Sequence, residues 1–209
     1  MKQEIAKNLI RLGAVKFSPK NPFTYASGLK GPIYCDNRII LSHVEFRNEV
    51  IAQFLKIIKE KNLAFDLVGG IATAGIPHAS FIADRLEMPM VYVRPKPKEH
   101  GRKNQVEGDY KSGQRVILFE DLVNQGSSLD EAMFGLHSAD LVCSDCLCVV
   151  DYEMTQAQKK LADLSITLHA LSDFTALTQA AFELGLIDQE GVRLLKDWHA
   201  DPKRWSMAL

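Results

Sequence analysis

Apolar positions near the start of the chain fall at helical spacing. Ile5, Leu9 and Leu12 stand at i, i+4 and i+7, with Gly13 behind them, which predicts a helix over residues 2–12. Residues 17–38 carry Pro19, Pro22, Gly28, Gly31 and Pro32 and read as short extended pieces and turns. Ser42-x-x-Glu45 has the form of a capping box, and Val50, Phe54 and Ile57 give the helix after it one apolar face. From residue 65 the pattern changes. Short apolar runs at 65–71, 90–94, 115–120, 141–150 and 166–171 predict strands. Helical segments at 75–86, from Ser128-x-x-Glu131 to His137, and at 155–164 lie between them. Residues 95–112 are polar and show no period. Two amphipathic segments, 174–184 and 189–199, close the pattern.

Strands alternating with helices of this length predict an α/β fold, a central mostly parallel sheet flanked by helices, in one domain over residues 1–209. Ligands of such sheets sit beyond the carboxyl ends of the strands, so function is expected just after residues 71, 94, 120 and 150. Charge narrows the partners. Lys plus Arg is 25 and Asp plus Glu is 26, a formal net charge of −1, which argues against a nucleic-acid coat or a polybasic membrane binder. No apolar run approaches the roughly 18 residues of a membrane span. The opening Met1-Lys2-Gln3-Glu4-Ile5 is not of signal-peptide type, and the expected location is the cytoplasm. Of the cysteines Cys35, Cys143, Cys146 and Cys148, the last three crowd one apolar, β-prone run. Without a second Cys or His pair nearby they read as buried strand thiols, not metal ligands.

The strand ends carry the candidate chemistry. After 71 come Ala72, Thr73, Ala74 and Gly75, small residues that let a ligand approach backbone N–H groups before a helix. The same composition also suits a plain tight turn. After 93, Arg94, Lys96, Lys98, Arg102 and Lys103 face one Glu99, with His100 among them. A charge run is usually a solvated loop, but this one is crowded into an otherwise neutral chain and suits a polyanionic substrate. The third end is the most specific. An apolar strand delivers adjacent carboxylates, Glu120 and Asp121, and Asn124, Gln125, Gly126, Ser127 and Ser128 lead into a helix. Strand-end carboxylates hold sugar hydroxyls or a hydrated Mg²⁺, and a helix N-terminus holds phosphate. A ribose 5-phosphate satisfies both.

Taken together these segments resemble the type I phosphoribosyltransferases. Residues 120–128 are similar to that family's signature for 5-phosphoribosyl 1-diphosphate. Residues 23–38 resemble the small N-terminal hood, about residues 1–40, of the branch that uses orotate, and 93–101 with 104–108 resemble its mobile catalytic loop. The likeness implies transfer of phosphoribosyl to orotate, giving orotidine 5′-monophosphate and diphosphate, with Mg²⁺ bridging diphosphate and ribose oxygens. It implies that Glu120 and Asp121 hold the ribose hydroxyls, that the backbone of 124–128 cradles the 5-phosphate, and that 72–75 sit against the diphosphate. It places Ser27, Lys30, Tyr34, Cys35 and Tyr152 around the base. Arg94, Lys96, Lys98 and His100 become the donors that meet charge developing on the leaving diphosphate. It also implies a homodimer in which loop 94–103 completes the neighbouring site. The chain departs from many members at Pro95, Asn124-Gln125 and Tyr152. A transferase for another nucleobase and a non-catalytic phosphoribosyl-diphosphate-binding regulator stay open beside this reading.

Overall fold

The computed structural model describes residues 1–96 and 104–209, and they form two compact units: Met1–His43 with Ser172–Leu209, and Val44–Leu171. In chain order the elements are α1 (Lys2–Arg11), β1 (Val15–Phe17), β2 (Phe23–Thr24), β3 (Lys30–Gly31), β4 (Ile33–Cys35), a 3₁₀ helix (Asn37–Ser42) and α2 (Val44–Glu60). There follow β5 (Leu67–Ile71), α3 (Gly75–Leu86), β6 (Met90–Val93), β7 (Val106–Glu107), β8 (Arg115–Val123) and α4 (Ser127–Ser138). The chain continues through β9 (Val142–Asp151), α5 (Thr155–Asp163), β10 (Thr167–Asp173), α6 (Phe174–Glu183), α7 (Gln189–Ala200) and α8 (Pro202–Met207).

The larger unit is built on a six-stranded sheet ordered β10-β9-β8-β5-β6-β7. β5 pairs in parallel with β6 and β8, and β8 in parallel with β9. All five residues of β5 are buried, as a strand covered on both faces requires. On one face Leu67, Val91, Val116 and Leu118 pack with Leu129, Met133 and Leu136 of α4. The next residue of β8, Phe119, meets Phe54 of α2 edge-on, ring centroids 5.4 Å apart. Truncating such a buried ring to alanine costs about 3–5 kcal/mol. Cys143, Cys146 and Cys148 lie buried in β9, and burial pushes their thiol pKa values up, which keeps them inert.

The alternation of strands and helices stands as expected, with three corrections. Ser42 caps nothing: it ends the 3₁₀ helix, itself capped by the Asp36 carboxylate accepting from the Arg38 N–H at 3.2 Å, and α2 starts two residues later. Ser128 is not a cap either. Gly126, at φ +71°, is the N-cap of α4, so Ser128 lies inside the first turn with its hydroxyl free for another partner. Third, the stretch without period contains β7, antiparallel to β6 with Val93 opposite Val106. Two residues are too few to show an alternation.

The other unit joins the chain's two ends. α1 buries Ile5, Ala6, Leu9 and Ile10, and its Lys2 and Lys7 reach Asp173 at 2.6 Å and Glu183 at 2.9 Å. β1 pairs with β4 and β2 with β3, both antiparallel. Sequence patterning does not foresee α8, six residues without an apolar face, although its Asp201-Pro202 start carries the usual cap and first-turn proline. Among the described residues no helix is long and apolar enough to cross a membrane.

Candidate active site

Three strand ends meet at the carboxyl edge of the sheet. The turn after β5 holds Ala72, half-buried, with its N–H donating to the Val93 carbonyl at 2.8 Å, so it is tied to the end of β6. The Ala72–Thr73 peptide is cis, Thr73 is exposed and Ala74 half-buried. Gly75 opens α3 where the helix touches β8: a Cβ there would fall on the Phe119 carbonyl oxygen and 3.2 Å from the Glu120 Cα. Only glycine permits that approach, which fixes the turn against the acidic strand end.

At the end of β8 Glu120 is 5% exposed, while Asp121 is half-buried. The Asp121 N–H donates to Glu120 Oε1 at 2.9 Å, and the Ser128 hydroxyl also bonds the Glu120 carboxyl. Burial first, and the neighbouring Asp121 charge second, raise the Glu120 pKa to about 8. A glutamate held neutral at a strand end is a poised group, a common mark of functional sites. Asn124 Oδ1 is buried without a hydrogen-bond partner, and Gln125 is half-buried. Gly126 then turns the chain into the 12-residue helix α4, whose free N–H groups at Ser127 and Ser128 make an anion seat.

Arg94, at the end of β6, donates its N–H to the Gln105 carbonyl at 2.9 Å, and its Nη1 lies 3.5 Å from Glu107 Oε1 on β7. Glu107 falls in the segment 104–108 that resembles the family's loop, but nothing in the sequence pairs it with Arg94. Ala72, Arg94, Pro95 and Ser128 line one cleft. Lys96 is exposed. Lys98 and His100 lie outside the described residues.

The remaining predicted residues have these surroundings. Tyr152, directly after β9, is 3% exposed, with its N–H on the carbonyl of Val123, the last residue of β8, at 2.8 Å. Ser27, Lys30, Tyr34 and Cys35 belong to the unit that holds the chain's two ends. There the Ser27 hydroxyl accepts from the Leu29 N–H at 3.4 Å, and the Lys30 N–H donates to Ser206 Oγ of α8 at 2.8 Å. Tyr34 is exposed and tilts against Phe23 with centroids 5.8 Å apart, and the Cys35 thiol donates to Asn37 Oδ1 at 3.3 Å.

Residues 37–175, the stretch that carries all three strand ends, match the phosphoribosyl transferase domain. The chain belongs to the phosphoribosyltransferase family. It is 44% identical to the orotate phosphoribosyltransferase of Coxiella burnetii over 202 residues, covering 97% of each chain. The structure resembles orotate phosphoribosyltransferase from Aeropyrum pernix at a TM-score of 0.71 and 28% identity, covering 87% of this chain and 99% of that one. It also resembles Leishmania donovani UMP synthase at a TM-score of 0.77 and 27% identity, covering 95% of this chain but only 42% of the longer protein. The fold is that of the type I phosphoribosyltransferases.

Proposed function

We propose that this phosphoribosyltransferase moves the phosphoribosyl group of 5-phosphoribosyl 1-diphosphate onto orotate, forming orotidine 5′-monophosphate and diphosphate, a step towards UMP. The observation that carries the reading is the union of Glu120-Asp121 with the α4 N-terminus, in a chain so close over its length to a curated orotate phosphoribosyltransferase. Glu120 and Asp121 take the ribose hydroxyls. The N–H groups of 124–128 take the 5-phosphate, helped by the positive end of the helix dipole. Ala72, Thr73, Ala74 and Gly75 bring backbone against the diphosphate. As the anomeric bond opens, negative charge collects on the leaving diphosphate, and Arg94 and Lys96 supply donors where it develops. Lys98 and His100 hold the same role by resemblance alone, as do Ser27, Lys30, Tyr34, Cys35 and Tyr152 around the base.

The donor set suits Mg²⁺ carried in on substrate oxygens. Two adjacent carboxylates match what that ion takes beside phosphates, and the described residues hold no cluster of three or more metal-ligating side chains. Bound there, Mg²⁺ supplies charge neutralisation on the diphosphate. The reading includes one catalytic domain over residues 1–209, a homodimer in which 94–103 serves the neighbouring site, and a place in the cytoplasm with neither nucleic-acid nor membrane partner. The deciding assay follows orotate absorbance with phosphoribosyl diphosphate and Mg²⁺. Consumption that requires both supports the reading, and turnover of a purine base with none of orotate would overturn it.

A further inference from the structure

Gln105 stands just before β7 and is 6% exposed, an unusual depth for a glutamine on a loop. Its side-chain Nε2 lies 2.8 Å from the Arg94 carbonyl, 3.3 Å from the Pro95 carbonyl and 2.8 Å from the Glu131 carbonyl of α4. Three carbonyl oxygens around one atom fix the amide orientation, because only the NH₂ end can serve them. One N–H goes to Glu131 and the other is shared between Arg94 and Pro95. The Gln105 main-chain carbonyl also accepts from the Arg94 N–H. The residue thus grips the end of β6 twice and α4 once.

A second observation comes from α4 itself. Gly135 lies within the helix, where glycine is unfavourable relative to alanine. A Cβ at that position would stand 3.0 Å from Gln105 Cδ, 3.0 Å from Val93 Cγ1 of β6 and 3.2 Å from Gln105 Cβ. The glycine is the seat over which the Gln105 side chain crosses to the helix. The groups it joins line the two walls of one cleft, Ala72, Arg94 and Pro95 on the strand side and Ser128, Glu131 and Ala132 on the helix side.

We propose that Gln105 is a positioning residue that sets the separation between the end of β6 and the first turns of α4, and with it the grip of the site on phosphoribosyl diphosphate. This rests on the proposed function for the identity of the ligand. Gln105 touches no substrate. It acts through Arg94 and through the helix that carries Ser128.

The test uses Gln105→Leu, Gly135→Ala, and Gly135→Ala in a Gln105→Ala background, each read by steady-state kinetics and melting. Gln105→Leu is expected to raise KM for phosphoribosyl diphosphate roughly ten- to a hundredfold, as a displacement of about 1 Å in a binding site does. KM for orotate should move by less than about twofold. Gly135→Ala should raise the same KM more weakly, and should add less in the Gln105→Ala background, where the Gln105 Cδ contact is gone while those to Val93 Cγ1 and to the Cβ at 105 remain. A lowered melting temperature with KM for phosphoribosyl diphosphate unchanged would make Gln105 a structural residue only, as would full additivity of the pair. If Gln105→Leu does not fold, Gly135→Ala and the double variant decide alone. Calorimetric titration with phosphoribosyl diphosphate and Mg²⁺ separates this claim from the one it rests on. Wild type that binds the diphosphate but does not consume orotate overturns the choice of base, and the variants are then judged on Kd. Wild type that does not bind it overturns both.

Discussion

The two ends of β8 treat charge in opposite ways. At the amino end Arg115 and Asp66 form a two-pronged pair in solvent, Nη2 to Oδ1 at 3.0 Å and Nε to Oδ2 at 3.2 Å, with the Arg115 N–H also donating to Oδ2 at 2.9 Å. Those donors pull the Asp66 pKa down to about 2. Five residues along the same strand, Glu120 is buried beside a second carboxylate and its pKa is pushed the other way. The strand could carry an arginine at either end. It places one only where no ligand is expected. At the carboxyl end the Glu120 carboxyl meets an N–H, a hydroxyl and the Asp121 carboxylate, and ribose hydroxyls are donors of the same neutral kind. A local rule of stability, opposite charges beside each buried carboxylate, is broken where a substrate is meant to bind.

The hardest way to break the contrast is to move the carboxyl end bodily. Gly75→Ala drives a Cβ into the Phe119 carbonyl, which is backbone and cannot rotate away. Overpacking of this kind costs roughly 1–3 kcal/mol. Because the displaced atoms adjoin Glu120, activity should fall by about a hundredfold or more while the protein still melts cooperatively. Kinetics beside a melting curve checks it, and full activity would show that the turn tolerates the shift.

Glu120→Gln sharpens the contrast, because stability and activity should part. A carboxyl with a raised folded pKa holds its proton more tightly folded than unfolded between about 4.5 and 8. Stability is therefore lost as pH rises through that window. The amide stays neutral, so the variant should melt at the wild-type temperature near pH 4 and above it by several degrees near pH 8. Binding of phosphoribosyl diphosphate should weaken by up to roughly tenfold, because the amide replaces one hydroxyl-accepting oxygen with a donor. A variant that is less stable at pH 8 would show Glu120 to be part of the core.

Much of this arrangement was legible in the sequence, and what was not has physical causes. β5 and most of β8 announce themselves as apolar runs because both faces are covered, and Glu120-Asp121 stands out because two charges interrupt such a run. α3 runs over the predicted residues, 75–86. The capping boxes at Ser42 and Ser128 misled because the pattern has no knowledge of a preceding 3₁₀ turn or of a left-handed Gly126. Residues 104–108 stand out by resemblance, but the contacts of Gln105 and Glu107 are hidden, since their partners are backbone carbonyls and an arginine at least ten residues away in the chain. The joining of residues 172–209 with the first 43 was equally hidden, because no periodicity reports contacts across the whole length.

A smaller effect concerns assembly. If 94–103 serves the neighbouring site, a loop-defective Lys98→Ala chain and a pocket-defective Asp121→Asn chain should complement each other. Random exchange of equal amounts makes about half the dimers mixed, each with one sound site, so activity should recover to roughly a quarter of wild type per chain. No gain after proven exchange would assign the loop to its own subunit.

The smallest effect is expected at the other end of β8, and its smallness is the point. Asp66→Asn removes the partner of Arg115 in solvent, where a pair is worth little and salt screens it further. With a folded pKa depressed to about 2, Asp66 contributes stability that is present above about pH 4 and is lost as pH falls towards 2. The variant should therefore melt slightly below wild type at neutral pH, with the gap closing in acid and in high salt. Its kcat and both KM values should stay within about twofold, because Arg115 lies at the edge of the sheet opposite Glu120. A Gln at 120 that costs affinity, set beside an Asn at 66 that costs none, would show that a carboxylate on β8 matters by which end it occupies. Equal losses of affinity at both would mean instead that β8 transmits strain along its length, and the division between an ion-paired end and a ligand-binding one would have to be given up.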